Sequence, residues 1–211
     1  MNKLLCYCFF FATLFSFSQN NELELWGKMN FKEKIKKNLF FSLEPGSRYD
    51  LDDFFFTKQF VDISLATIIY KGDLGEWSLD FGGRLTKIPN QRGAGKRQYF
   101  TSYYSKKIKK LNLSWRSRLF FEQNIASYKR KYFRNKLTTQ YNNSNLFRPF
   151  MDVEYLYGLN SNNVNKIRYS IGNSFKISKK RTVKLFYRLQ STLELSENKK
   201  RIFGVYLIQK L

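Results

Sequence analysis

Residues 112–122, NLSWRSRLFFE, alternate two by two. Leu111, Leu113, Trp115, Leu119 and Phe121 fall on one side of an extended chain, with Ser117 breaking the row. Asn112, Ser114, Arg116, Arg118 and Glu122 fall on the other, with Phe120 as the exception. A period of two is that of a β-strand whose faces meet different surroundings. A soluble sandwich satisfies it with the apolar face inward and the charges in water. A transmembrane barrel satisfies it inverted, with the apolar face in lipid and the charges in the lumen.

The alternation recurs along the chain, at residues 23–31, 38–48, 60–70, 77–85, 133–141, 147–157, 167–177, 183–193 and 203–211. Residues 99–105 are aromatic on both faces, which leaves their orientation open. Segments of about 9–11 residues suit a tilted strand crossing a bilayer and exceed the ~5–6 typical of soluble sheets. Connections alternate too. Short ones are expected near 36–37, 72–75, 109–110, 142–145 and 178–180, and longer ones at 50–56, 89–96, 124–131 and 158–165. Short turns on one side and longer loops on the other are the habit of outer-membrane barrels. The expected fold is all-β, an antiparallel up-and-down transmembrane barrel of 10–12 strands. An even count gives ten strands, with residues 23–31 either an extra piece tucked into the lumen or part of a twelve-strand closure.

The N-terminus supplies a compartment. Met1-Asn2-Lys3 is a basic start, residues 4–17 are apolar, and Ser16-Phe17-Ser18 is a small-x-small cleavage pattern. This reads as a secretory signal peptide over residues 1–18, leaving residues 19–211 as the barrel domain. Both cysteines, Cys6 and Cys8, lie in the removed part, and the chain has no His. Disulfides, Ser–His or Cys–His catalysis and His-ligated metal sites are thereby excluded from the mature domain. No metal or cofactor is expected.

Aromatics are 18% of the residues, with Phe 22 and Tyr 14, yet mean hydropathy is −0.49. A barrel with an aromatic-girdled exterior and a wet interior joins those two properties. Lys+Arg 38 against Asp+Glu 16 gives a net charge of +22. Such a chain faces something anionic: nucleic acid, lipopolysaccharide phosphates or an anionic solute. Export argues against nucleic acid, even though Tyr and Lys interleave over residues 99–110.

Several short motifs, in order, carry a resemblance. They are Leu25-Trp26, Leu43-Glu44-Pro45-Gly46-Ser47-Arg48, Arg116-Ser117-Arg118, Arg134-Asn135-Lys136-Leu137, Arg148-Pro149-Phe150-Met151-Asp152-Val153-Glu154, Arg168-Tyr169-Ser170-Ile171-Gly172 and the end from Gly204 to Leu211. On these the chain resembles the uncharacterised Bacteroidetes barrels called domain of unknown function 2490. The resemblance implies an outer-membrane location and no established activity.

The candidate lumenal set is Glu44, Arg48, Asp80, Arg84, Arg116, Arg118, Glu122, Arg134, Lys136, Asp152, Glu154, Arg168, Arg188 and Glu194. One reading is a charge ladder that fills a narrow barrel. The other is a constriction of Arg and Lys that favours anions. Asp152 and Glu154 also suit acid–base work, but no nucleophile or metal motif supports an enzyme, and the chain is read as a non-enzyme. Asp50-Leu51-Asp52-Asp53 lacks the spacing of a calcium loop, and Gly93-Ala94-Gly95-Lys96 lacks the first Gly and the Ser/Thr of a phosphate loop. The expected partners are outer-membrane lipid and lipopolysaccharide, the barrel assembly machinery, and a small anionic solute. The alternatives are a secreted sandwich that binds an anionic glycan and an outer-membrane enzyme using lumenal carboxylates.

Overall fold

The computed structural model describes residues 21–89, 93–123, 129–142, 147–161, 163–193 and 198–211. The expected signal peptide lies outside them. Eleven strands form: β1 (Asn21–Lys36), β2 (Leu39–Asp50), β3 (Phe55–Gly72), β4 (Gly75–Lys87), β5 (Gly95–Ile108), β6 (Leu111–Gln123), β7 (Lys129–Tyr141), β8 (Arg148–Gly158), β9 (Asn163–Lys176), β10 (Arg181–Thr192) and β11 (Asn198–Lys210). They close into one barrel in the order β1-β11-β10-β9-β8-β7-β6-β5-β4-β3-β2. Closure removes both sheet edges, so every strand has a backbone partner on each side.

Two expectations need correction. The strands number eleven, within the expected 10–12 but not even, and residues 23–31 lie in the wall as part of β1 rather than in the lumen. The barrel is also not antiparallel throughout. Consecutive strands alternate in direction, so an odd count brings the first and last together pointing the same way. β1 accordingly pairs with β11 in parallel, from Asn21↔Lys199 to Lys32↔Lys210. Side chains in the lumen fasten this seam. Glu24 of β1 accepts from Lys200 of β11 at 2.9 Å, and Glu44 of β2 accepts from Lys28 of β1 at 3.0 Å and from Tyr206 of β11 at 2.8 Å.

The sandwich alternative fails on orientation. Its requirement was Leu113, Trp115 and Leu119 packed against a second sheet; instead Trp115 points outward and is 55% exposed. Phe81, Leu137, Met151 and Ile171 lie outward with it and are likewise exposed. Strands run past the length expected for a bilayer crossing, to 18 residues in β3. As a result β2 and β3 are joined only through residues 51–54, a tighter connection than the expected 50–56. There Asp50 Oδ1 accepts the N–H groups of Asp52 and Asp53, so this carboxylate shapes a turn.

Tight connections at residues 37–38, 73–74, 109–110 and 177–180 mark one rim, and the ends of β2, β4, β6 and β8 with the starts of β3, β5, β7 and β9 mark the other. Outward-facing aromatics gather near both. Tyr70, Trp77, Tyr141 and Phe147 lie toward the tight-turn rim, and Phe56 and Phe121 toward the loop rim. Between them the outer face is mostly aliphatic, as in barrels whose aromatic girdles sit at the two membrane interfaces.

Candidate functional site in the barrel lumen

The lumen is built in layers, starting from glycines. Gly46 and Gly82 sit on inward positions directly opposite Phe60 and Tyr99 of the next strand. A Cβ on either glycine would run into the neighbouring ring. The missing side chain therefore lets each aromatic lie flat against the wall, an arrangement known to rescue glycines in strands. Arginines then stack on those rings: Arg84 over Phe60 and Arg118 over Tyr99, each at 3.9 Å from the centroid, with Arg97 over Phe120 at 4.5 Å. A valine at Gly46 is expected to displace Phe60 and remove the platform under Arg84. Overpacking of this kind costs about 1–3 kcal/mol. The Gly46→Val barrel should unfold at lower urea than wild type; an unchanged midpoint would show that the ring needs no such gap.

Carboxylates fix the stacked arginines. Asp62 takes both Nε and Nη2 of Arg84, Glu122 accepts from Arg97 at 2.9 Å, and Asp80 lies 3.6 Å from Arg118. Arg118 Nε also donates to Thr101 Oγ1 at 2.8 Å. The densest node centres on Glu154, which is 1% exposed. It accepts from Arg116 at 3.1 Å, Arg134 at 2.5 Å and Arg168 at 2.7 Å, tying β6, β7 and β9 to β8. Arg168 Nε reaches Gln190 Oε1 at 2.7 Å. Beside this node, Asp152 is 2.6 Å from Lys136 and 3.9 Å from Arg188, whose Nε donates to Ser170 Oγ at 2.7 Å. Three guanidiniums on one carboxylate are tolerable because each brings several donors and the carboxylate has about four acceptor sites.

Of the residues named from the sequence, Glu44, Arg48, Asp80, Arg84, Arg116, Arg118, Glu122, Arg134, Lys136, Asp152, Arg168 and Arg188 line one cavity of about 840 Å³. Glu154 lies in its wall beneath the arginines, and Glu194 lies outside the described residues. Asp62, Arg97 and Lys58 belong to the lining but were not in that set. Arg97 precedes the stretch with aromatics on both faces, so its side was undecided; counting back in twos from Tyr99 places it inward. The aromatic platforms left no signal, since an inward Phe in a polar lumen breaks the alternation.

No family model and no curated protein matches this sequence. Among solved structures the chain is similar to the NanC porin in a rhombohedral crystal form, with a TM-score of 0.60. The match covers 89% of this chain and 99% of that one, at 12% identity. At that identity the likeness is one of fold: a closed β-barrel of porin type.

Proposed function

We propose that the chain is a small outer-membrane barrel whose cationic lumen passes small anionic solutes. The observation that carries this reading is the cavity, which is lined from both ends. Lys58 and Arg130 stand near the loop rim, and Lys32, Gln140 and Lys210 near the tight-turn rim. Its lining holds sixteen Lys and Arg side chains against five carboxylates, an excess that favours anions inside a low-dielectric wall. The outward apolar face with aromatics at both rims supports placement in a bilayer, and the leader read in residues 1–18 supports the outer membrane. There the partners are lipid, lipopolysaccharide and the machinery that inserts barrels. Kinship with the Bacteroidetes family named above belongs to the same proposal, as does the absence of enzymatic activity. The NanC likeness supports it at the level of fold.

The test is electrical. Purified barrel in planar bilayers under a KCl gradient should conduct, with a reversal potential on the chloride side. Folded, inserted barrel without current would overturn transport. A purely structural barrel would then be the better reading, favoured by the ion-pair node around Glu154.

A further inference from the structure

Seven arginines of the lumen wall, Arg84, Arg97, Arg116, Arg118, Arg134, Arg168 and Arg188, each have a carboxylate within 4 Å. Arg48 has none among the described residues, and its Nε is buried without a hydrogen-bond partner. Lys58 stands directly opposite it in the β2–β3 register and also makes no ion pair there. We propose that Arg48 and Lys58 form a binding station for the oxyanion group, carboxylate or phosphate, of a solute near the loop rim. The station deepens the transport reading and rests on it for the solute's route.

Arg48 is held by an aromatic ring instead of an acid. Its guanidinium lies 3.9 Å from the centre of Trp26, and Trp26 is itself fixed, with Nε1 donating to Glu24 Oε2 at 2.5 Å. Stacking orients a guanidinium plane without neutralising it, which leaves donors on its edge for a forked acceptor. Arg168 and Arg188 also lie over the Trp26 ring, 5.6 and 5.3 Å from its centre, so positive charge gathers beside Arg48. Glu24 is already shared between Trp26 and Lys200. An arriving oxyanion would relieve that accumulation of positive charge. Carboxylate and phosphate both present paired oxygens that match the guanidinium fork, and Lys58 adds a mobile point charge beside it. Both residues line the cavity within a few positions of the loop-rim ends of β2 and β3.

Two measurements test the station. Calorimetry on detergent-solubilised full barrel uses inorganic phosphate in one arm and acetate in the other, and so needs no current. Planar bilayers then report whether the same ions reduce chloride current. Wild type should bind at least one of them. Losing a charged hydrogen-bonding partner should raise Kd by about tenfold to hundredfold in Arg48→Gln. Arg48→Lys should fall between, since it keeps the charge and loses the fork. Arg181→Gln, outside the cavity at the opposite rim, should match wild type; the heat-modifiable gel shift checks that every variant is folded. Binding of neither ion by wild type, or a Kd for Arg48→Gln within about twofold of wild type, overturns the station. Silent bilayers with Arg48-dependent binding would overturn the pore and keep the station; conducting bilayers with Arg48-independent binding would do the reverse.

Discussion

Glu154→Gln is expected to destabilise the barrel by about 3 kcal/mol. The carboxylate is almost fully buried and neutralises Arg116, Arg134 and Arg168 together. Gln keeps an acceptor oxygen and the shape but removes the charge, so three guanidiniums then face one another. Removing one partner of a buried ion pair typically costs about 3–5 kcal/mol, and water in the lumen argues for the lower end. Urea unfolding in lipid vesicles, followed by tryptophan fluorescence, reads the loss. The same measurement on Glu154→Gln combined with Arg134→Gln should recover part of it, because one uncompensated charge is gone. Groups in one network commonly show coupling of about 0.5–3 kcal/mol. Equal stability of Glu154→Gln and wild type would mean that water already screens the node.

The second large effect separates the two faces of one strand. Leu137 points outward near the middle of β7 and is 57% exposed, while its neighbour Thr138 lines the cavity. An arginine on the lipid face at mid-bilayer costs about 2–4 kcal/mol. Leu137→Arg should therefore lower barrel stability in vesicles by that amount. Thr138→Arg, one residue along, should cost less, since it joins groups already surrounded by water and carboxylates. The comparison also probes location. On a water-facing surface Leu137→Arg would stay within about 0.5 kcal/mol of wild type. A neutral result would therefore remove the membrane placement along with the prediction.

Much of the wall could be read from the sequence because its physics is local. Trp115 outward and Arg116, Arg118 and Glu122 inward follow from a period of two and need no knowledge of neighbouring strands. The same counting placed Arg84 with Asp80 and Arg168 with Arg188. It failed where both faces carry aromatics: over residues 99–105 the rings of Tyr99 and Tyr103 face the cavity, while Phe100 lies on the exposed outer face. Nor could the phase tell an arginine neutralised by an acid from one supported by a ring. Arg48 and Arg84 occupy alike positions in pattern, yet Asp62 holds Arg84 and Trp26 holds Arg48.

The even strand count failed for a related reason. The alternation over residues 23–31 announced a strand, but whether it would sit in the lumen or join the wall depends on a partner more than 170 residues away. Only closure of the sheet decides that Leu25 lies beside Phe203 and that the pairing is parallel. The sequence alone determined the alternation, and with it which face of most strands is apolar and which is charged, because adjacent side chains must point to opposite sides. The tertiary structure decided which strand closes the ring, which glycine makes room for which ring, and which guanidinium meets a carboxylate. Those pairings join residues on different strands, and their partners are set by sheet register and barrel closure, which no short stretch of chain contains.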